Sequence, residues 1–443
     1  MTKICAIIIR DQEIQEEKGS PVMKAVRFVD LFAGIGGIRK GFEIACEKRG
    51  IVSQCVFTSE IKPYAVKILR QNHPGEEIHG DITKINEADL PDFDFLLAGF
   101  PCQAFSVAGK RLGFQDTRGT LFFDVARILK EKKPRGFVLE NVEGLVNHDG
   151  GRTLKVILGT LDELGYCVTA KVLNARDFGI PQERKRIYIV GSDKERPYFG
   201  AFEKTHNCLA SVLEHGLPCE SSAFIDNLLR RYSLSELEGK SFKDKRGGEE
   251  NIHSWDLEMK GPVSDCQREL LNRIMTERRK KKWAKEYGID WMDGMPLTLG
   301  MIRTFYDAPD LETMLEDLVG KKYLVKEHPK RKAGNRRVQD RTLPVGYNIV
   351  AGKMSFPINK VLHPKSYAPT LVAMDMQHLF VTDSGGVRRL SLREGLRLFG
   401  YPDDYKFDIS EEEGYDLLGN TVAVPVIAAV SDRLLDTYEE SIA

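Results

Sequence analysis

The sequence predicts an α/β fold in which helices cover both faces of a mostly parallel sheet. Two observations support this prediction. Short apolar runs alternate with amphipathic helical patterns from residue 26 to residue 191, and the first run ends in a glycine-rich turn that opens a helix. Strands of this kind, separated by helices, form parallel sheets that are buried on both sides. We therefore expect a Rossmann-like sheet, with a smaller irregular domain inserted in it.

The expected elements follow one another in chain order. The first strand, 26–32, leads through Ala33-Gly34-Ile35-Gly36-Gly37 into a helix that runs to Glu47. Apolar periodicity then predicts the remaining elements. Strands are expected at 55–59, 94–98, 136–141, 167–174 and 186–191, and helices at 62–71, 120–132, 153–164, 391–399 and 422–438.

The region after residue 197 breaks this alternation, and regular patterns return only near the C-terminus. It holds all three tryptophans and two basic clusters, 278–282 and 321–341. We therefore divide the chain of 443 residues into four parts. These are an N-terminal arm, 1–24; a first α/β segment, 25–197; an inserted domain, 198–365; and a C-terminal return, 366–443, that completes the α/β domain.

Composition excludes several classes of protein. The hydrophobic fraction is 42% and the mean hydropathy is −0.31, which allows a sizeable core and excludes a wholly disordered chain. Sixty-five basic and sixty-five acidic residues give no net charge, so any nucleic-acid surface must be a local patch. The absence of a long apolar run predicts a cytoplasmic protein without a membrane span. The eight cysteines contain no C-x-x-C pair, so we expect no metal site.

The glycine turn is the first candidate site. Glycines at 34, 36 and 37 let the backbone approach a ligand closely. Glu60 closes the next strand, where a carboxylate commonly accepts the ribose hydroxyls of a nucleoside cofactor. Asp81 follows the third segment and is a candidate acceptor for an adenine amino group. A tight turn without a ligand remains the alternative for the glycines alone.

The ends of two later strands carry the candidate catalytic residues. Cys102, in the loop Gly99-Phe100-Pro101-Cys102-Gln103, follows a strand at the edge where α/β sheets place active sites. Glu140, followed by Asn141, ends the next strand and faces the same crevice. Taken alone, Cys102 is better explained as a half-buried loop thiol, and Glu140 as a helix-capping or surface acid.

A basic segment near residue 184 supplies the last candidates. Alternate residues of an extended chain face the same way, so Gln182, Arg184 and Arg186 are expected to share a face. Planar donors on one face suit a base edge or a phosphate. A solvated run of charges is the alternative.

The order and spacing of these motifs resemble the cytosine-5 DNA methyltransferase family. The resemblance covers about residues 26–197 and 366–435. The motifs that carry it are Phe-x-Gly-x-Gly at 32–36, Pro-Cys-Gln at 101–103, Glu-Asn-Val at 140–142, Gln-x-Arg-x-Arg at 182–186, a ninth motif at 389–402 and a tenth at 419–425.

This resemblance implies a sequence-specific DNA (cytosine-5-)-methyltransferase that acts on an everted cytosine. Cys102 would add to carbon 6 of the ring and Glu140 would protonate or hydrogen-bond ring nitrogen 3. Asn141 would shape the loop, and Gln182, Arg184 and Arg186 complete the expected catalytic set. S-Adenosyl-L-methionine would be the co-substrate. The residues expected to bind it are Phe32, Ala33, Gly34, Ile35, Gly36, Gly37, Glu60, Ile61, Asp81, Ile82, Pro101, Asn420 and Val422.

The inserted domain is expected to recognise the target in double-stranded DNA. It would read base edges from the major groove while its two basic clusters hold phosphates. By the same resemblance, we expect a bacterial monomer associated with the nucleoid, in a restriction-modification system with a separate cognate endonuclease. The far end of the chain should pack beside the first strand, because Asn420 and Val422 would meet the cofactor there.

Three alternatives remain for the function. A tRNA cytosine-5 methyltransferase would have the same fold, but the long insertion favours duplex DNA and the tRNA branch's Cys-Phe-Thr signature is missing from it. A non-catalytic DNA-binding relative should have lost Cys102 or Glu140, and both are present. A nicotinamide-dependent oxidoreductase is disfavoured because the full Gly-x-Gly-x-x-Gly spacing is missing: Arg39 stands where the third glycine belongs.

Overall fold

The computed structural model describes residues 25–101, 121–289, 294–333, 336–350 and 356–438. The arm at 1–24, Cys102 and Trp291 lie outside the described residues.

A seven-stranded sheet forms the centre of the protein. Strands β1, β2, β3, β4 and β5 are parallel, and β7 runs antiparallel to β5 and β6. The order across the sheet is β3-β2-β1-β4-β5-β7-β6. The mostly parallel sheet expected from the sequence is therefore confirmed. The strands are β1 (Ala25–Leu31), β2 (Val52–Ser59), β3 (Ile78–His79), β4 (Phe95–Ala98), β5 (Gly136–Val142), β6 (Cys167–Asn174) and β7 (Lys185–Ser192).

Helices cover both faces of this sheet, because its strands are apolar on both sides. Phe28 of β1 belongs to one core and the adjacent Val29 to the other, and both are fully buried. The helices of the first α/β segment are α1 (Gly37–Lys48), α2 (Pro63–Asn72), α3 (Leu121–Lys132) and α4 (Arg152–Glu163). The ends of most of these helices lie within one residue of the ends predicted from the periodicity of the sequence.

The inserted region is more regular than its sequence indicates. It has its own core, around Trp255 and Trp283. Its longest helix begins at a capping box formed by Ser264 and Gln267. The helices are α5 (Ala223–Arg231), α6 (Leu234–Leu237), α7 (Asp265–Glu277), α8 (Lys281–Glu286), α9 (Leu299–Arg303) and α10 (Leu311–Gly320).

Short strands complete the insertion and link it to the C-terminal return. Two pairs are local: β10 with β13, and β11 with β12. A five-stranded sheet, β16-β15-β14-β8-β9, joins strands from both sides of residue 365, where we expected the domain boundary. The strands are β8 (Ser241–Phe242), β9 (Asn251–Ile252), β10 (Leu324–Glu327), β11 (Lys330–Ala333), β12 (Arg336–Gln339), β13 (Gly346–Ile349), β14 (Lys360–Val361), β15 (Leu379–Asp383) and β16 (Gly386–Arg389).

The C-terminal return ends in three helices, and the last packs against the start of the α/β domain. The helices are α11 (Leu392–Arg397), α12 (Glu411–Asn420) and α13 (Val424–Asp436). Gly41 of α1 lies so close to Ile427 and Val424 of α13 that a side chain there would overlap them. Helix α13 shares its core with Phe28 of β1, as the sequence predicts.

One helical stretch in the described part of the chain, Glu411–Asp436, has the length and apolar character of a membrane span. It consists of α12 and α13, and 61% of its most apolar window is buried inside the protein. Core helices meet the same criterion, so the stretch is weak evidence for a membrane span.

Candidate active site

A cavity of about 440 Å³ lies at the carboxyl ends of β1, β2, β4 and β5. Its size falls within the range of small-molecule sites. Segments that are far apart in the sequence meet in its walls. The lining residues predicted from the sequence are Phe32, Gly34, Ile35, Glu60, Ile61, Asp81, Ile82, Pro101, Glu140, Asn141, Arg184, Arg186 and Asn420.

The glycine turn forms one wall of the cavity. Its backbone occupies the left-handed region at Phe32 (φ 55°), Gly34 (φ 56°) and Gly36 (φ 73°). The Gly36 amide closes the turn on the Ala33 carbonyl oxygen at 2.7 Å. The Tyr405 hydroxyl donates a second hydrogen bond, to the Ile35 carbonyl oxygen. These two hydrogen bonds fix the turn, and Phe32 and Gly34 line the cavity.

Four of the predicted cofactor residues support this wall without lining it. Ala33 and Gly36 close the turn, as described above. Gly37 packs so tightly against the Tyr401 hydroxyl and Val422 that a side chain there would overlap both. Val422 is buried in the α1–α13 core. The structure therefore places Val422 behind the turn.

Two carboxylates are fixed along the same wall. Glu60 accepts hydrogen bonds from the backbone amides of Gly34 (2.7 Å), Ile61 and Lys62 (both 2.8 Å). Asp81 accepts from the amide and hydroxyl of Thr83 through one oxygen, Oδ1. Those hydrogen bonds lower the pKa of Asp81. Its second oxygen, Oδ2, lies 3.7 Å from Nζ of Lys84, and the carboxylate lines the cavity, where it can also accept from an amino group.

The walls around these carboxylates suit a nucleoside. Phe32 and Ile61 supply apolar surface, and the Ile61 side chain is exposed at the cavity mouth. Fixed carboxylates match hydroxyl and amino donors, and the apolar side chains match a flat base. The residues present therefore fit the nucleoside part of S-adenosyl-L-methionine.

Asp30 is a buried group to which the sequence assigned no role. It lies in β1 just before the turn, fully buried, and neither carboxylate oxygen has a hydrogen-bond partner among the described residues. Burial raises the pKa of Asp30 to about 8, against the opposing effect of Arg39. Asp30 is therefore mostly uncharged at neutral pH, and it adds little negative charge beneath the turn.

Glu140 projects into the cavity from β5 and is only 8% exposed. Its Oε1 lies 3.2 Å from Nε of Arg186 but has no hydrogen bond of good geometry among the described residues. Burial raises the pKa of Glu140, and the nearby charges of Arg186 and Arg184 oppose that rise. A carboxyl group in this setting can hold a proton and donate it to a bound base.

Asn141 holds the loop that leads to Cys102. Its Nδ2 donates to the Phe100 carbonyl oxygen at 2.8 Å, and its Oδ1 accepts from the Val142 amide. The loop is therefore fixed as far as Pro101, at the rim of the cavity. Cys102 itself lies outside the described residues.

Gln182, Arg184 and Arg186 were expected to hydrogen-bond a base or a phosphate, but two of them form hydrogen bonds with backbone carbonyl groups of the protein instead. Gln182 is fully buried, lies away from the cavity lining and donates to the Leu398 carbonyl oxygen at 2.7 Å. Arg184 donates to the carbonyl oxygens of Leu371 (3.0 Å) and Thr421 (2.6 Å). Burial lowers the pKa of Arg184 to about 10. These two side chains bind the C-terminal return, and Arg186 is left beside Glu140.

The C-terminal return supplies the far wall of the cavity. Asn420 lines it, with its Nδ2 bonded to the Asp416 carbonyl oxygen at 2.8 Å. The Thr421 and Tyr401 hydroxyls lie 2.7 Å apart. Sequence reasoning included Tyr401 and Thr421 in two motifs but gave them no role, because nothing in their local pattern shows what they contact. Within the described residues, no cluster of three His, Cys, Asp or Glu side chains could hold a metal ion.

Comparisons with known proteins show what this chain is similar to. The model of the family described as C-5 cytosine-specific DNA methylase matches residues 26–436. The chain is 65% identical over 423 residues to the Type II methyltransferase M.NlaIV of Neisseria lactamica, covering 94% of this chain and all of that protein. It is 40% identical over 436 residues to the Type II methyltransferase M.BanI of Aneurinibacillus aneurinilyticus, covering 92% of this chain and 95% of that protein.

Among solved structures, a mutant of DNMT2 from Spodoptera frugiperda aligns with 93% of this chain and 99% of its own. The TM-score is 0.49 and the sequence identity is 15%.

Proposed function

The chain belongs to the C-5 cytosine-specific DNA methylase family, and from this premise we propose that it methylates carbon 5 of a cytosine everted from duplex DNA, with Cys102 as nucleophile and Glu140 as acid. The single observation that supports these roles is the position of Glu140. A buried carboxyl group with a raised pKa lies beside Arg186, in the same cavity as Pro101, the residue before Cys102.

The mechanism follows from the chemistry of the ring. Carbon 5 of cytosine is a weak nucleophile, and addition of the Cys102 thiolate to carbon 6 makes the ring an enamine. Glu140 gives its proton to ring nitrogen 3 as the carbon–sulfur bond forms, so negative charge does not accumulate on the ring. Once Glu140 has given up its proton, the positive charge of Arg186 stabilises the resulting carboxylate. After carbon 5 gains the methyl group it loses its proton to solvent. The carbon–sulfur bond then breaks, the thiolate leaves, and the proton on ring nitrogen 3 returns to Glu140.

S-Adenosyl-L-methionine supplies the methyl group when it is bound. We assign Glu60 to its ribose hydroxyls and Asp81 to its adenine amino group, because each keeps its carboxylate fixed along one wall. Phe32 and Ile61 enclose the base. Ala33, Gly36, Gly37 and Val422 act indirectly, by shaping the turn.

Of the two basic clusters, the structure favours one for DNA. In the cluster at 278–282, Arg278 is buried and donates to Asn348 Oδ1 at 2.8 Å. Lys280 and Lys282 lie 2.5 Å and 3.8 Å from the carboxylate of Glu277. Arg278 therefore serves the fold of the insertion, and Glu277 offsets part of the charge of the two lysines, so we assign the main phosphate contacts to the other cluster.

The second cluster contains an exposed two-stranded ribbon, β11–β12, which we assign to DNA. Its ten positions, 330–339, carry five cations and no acid. Lys332 lies directly opposite Arg337. Like charges in that position destabilise a strand pair, and a phosphate would relieve the repulsion. A two-stranded ribbon also has the right width for the major groove.

Loss of the ribbon cations should reduce the salt dependence of DNA binding. Lys332 and Arg336 are exposed and have no ion pair with a described residue. We expect the double variant Lys332→Ala/Arg336→Ala to reduce the slope of log Kd against log salt by about two. Filter binding from low to moderate salt measures it. The matched control, Lys280→Ala/Lys282→Ala, removes the same charge and should keep the wild-type slope; equal slopes in both variants would contradict the assignment.

We place the protein on the nucleoid DNA of a bacterial cytoplasm, as a monomer. Its relatives are named Type II methyltransferases, which supports a restriction-modification system with a separate cognate endonuclease.

Bisulfite sequencing tests the reaction and the substrate together. Host DNA from cells that express the chain should contain 5-methylcytosine at one short recurring sequence, and DNA from cells without it should not. The tRNA of the same cells should be unchanged. Methylation of tRNA with unmodified DNA would contradict the proposed substrate.

A further inference from the structure

Asp416 joins two segments that line the cavity from distant parts of the chain. Its Oδ2 accepts from Nζ of Lys62 at 2.8 Å and from the hydroxyl of Tyr64 at 2.5 Å. Lys62 lies just before α2 and Tyr64 in its first turn, whereas Asp416 lies in α12, 354 positions after Lys62. Lys62 lines the cavity, and so does Leu417, the residue after Asp416. Asp416 therefore connects two walls of the cavity.

A continuous series of hydrogen bonds runs through this carboxylate from the glycine turn to the C-terminal wall. Glu60 accepts from the amide of Gly34 at 2.7 Å and from the amide of Lys62 at 2.8 Å. The Lys62 side chain continues the series to Asp416, whose Oδ1 accepts from Nδ2 of Asn420 at 3.2 Å. Glu60 and Asn420 both line the cavity and are expected to bind the cofactor. The Asp416 carboxylate therefore links two cofactor residues on different walls.

The contacts of Asp416 differ from those of an ordinary surface ion pair. The side chains of Lys62 and Asp416 are 40% and 35% exposed, so their attraction alone contributes little to stability. Three side chains from two walls nevertheless converge on one carboxylate. Burial raises the pKa of Asp416, but the hydrogen bonds from Lys62 and Tyr64 outweigh it and lower the pKa, so the group is a carboxylate at neutral pH. Walls that are joined before a ligand enters lose less freedom when it binds.

We propose that Asp416 is a positioning residue for S-adenosyl-L-methionine, which keeps the wall at Lys62 and the wall at Asn420 at the separation where both contact the cofactor. The inference rests on the proposed function, which places the cofactor in this cavity. Asp416 acts through its two partners and does not line the cavity itself. If only about one tenth of the molecules had the walls in this arrangement, the apparent Kd for the cofactor would rise about tenfold.

Calorimetric titration of the full-length protein with S-adenosyl-L-methionine tests this role. We expect Asp416→Ala to raise the Kd for the cofactor about tenfold. The KM for the cofactor should rise in parallel, while kcat at saturating cofactor should stay close to that of wild type. Tyr64→Phe removes one of the hydrogen bonds and should raise the Kd about threefold.

Asp432→Ala is the matched control. Asp432 also joins the C-terminal return to the first α/β segment, because it accepts from Lys48 at 3.0 Å and from Arg49 at 2.7 Å. These partners lie at the far end of α1, about 18 Å along the helix from the glycine turn. Asp432→Ala should lower the melting temperature, as Asp416→Ala should, but it should keep the wild-type Kd for the cofactor.

An exchange of the two charges separates positioning from direct contact with the cofactor. Lys62→Asp alone should raise the Kd about tenfold. The double variant Lys62→Asp/Asp416→Lys forms the ion pair in the opposite sense between the same two walls, and it should recover most of the lost affinity. A double variant as weak as Lys62→Asp would show that Lys62 itself binds the cofactor, and it would overturn the positioning role.

The remaining results also decide the inference. An unchanged Kd in Asp416→Ala overturns it, and so does an equal loss of affinity in Asp432→Ala, since that result means a general loss of stability. If Asp416→Ala does not fold, Asp416→Asn takes its place, with an increase in Kd in the same direction. Wild-type protein that binds no S-adenosyl-L-methionine would refute the proposed function as well, whereas wild-type binding with unaltered variants refutes the positioning role alone.

Discussion

Replacing Cys102 by serine is expected to abolish methyl transfer, with a loss on the order of 10⁴-fold or more, as for other catalytic nucleophiles. Serine keeps the shape of the side chain, but its hydroxyl ionises far less readily than a thiol and cannot add to carbon 6. The affinity for duplex DNA should remain close to that of wild type, because phosphate contacts and not the nucleophile dominate it.

Transfer of tritiated methyl groups to DNA measures this loss, and filter binding measures the affinity. Cys266→Ser is the matched control, because Cys266 is an exposed cysteine of the inserted region. It should keep full activity. Turnover above about 1% of wild type in Cys102→Ser would show that another group, or no covalent step, carries the reaction.

Replacing Glu140 by glutamine is expected to lower turnover by about 10²- to 10³-fold, within the range that general acid catalysis contributes. Glutamine keeps the size of the side chain and a hydrogen-bond donor but cannot transfer a proton to ring nitrogen 3. The affinity for DNA should change little, so the effect should appear in kcat. Glu143→Gln is the control, since Glu143 is exposed three residues farther along the chain.

The pH dependence of turnover gives a second test of Glu140. Burial raises its pKa, so the protonated acid persists to higher pH than for an ordinary glutamic acid. Turnover by the wild-type protein should therefore fall as pH rises through that raised pKa and Glu140 loses its proton. Glu140→Gln has no proton to lose there, and its profile should lack this decline. A variant profile parallel to that of wild type would remove Glu140 from the acid role.

The success of the sequence predictions depended on whether a feature was local. Glu60 and Glu140 were placed correctly at one edge of the sheet because each closes a strand, and parallel strands bring their carboxyl ends together. Helix α13 was placed by its apolar periodicity and by the expected position of Asn420. Such features can be predicted from the strand order and the direction of the chain alone.

The roles that the sequence did not predict depend on contacts between residues that are far apart in the sequence. The alternation at 182–186 places Arg184 and Arg186 at the cavity, but nothing local shows that Leu371, Leu398 and Thr421 contact Gln182 and Arg184. Arg278 appears in a run of charges, yet the partner that buries it, Asn348, lies seventy positions later. Residue type and spacing cannot supply such contacts.

The most direct test of the central claim is the capture of Cys102 on its target. A duplex carrying 5-fluorocytosine at the methylated position, incubated with the protein and S-adenosyl-L-methionine, cannot lose fluorine in place of a proton, so the reaction should stop at the adduct. We expect a protein–DNA band that survives denaturation, with mass spectrometry locating the bond on Cys102. Free DNA recovered after denaturation, or a bond to any other residue, would contradict the account.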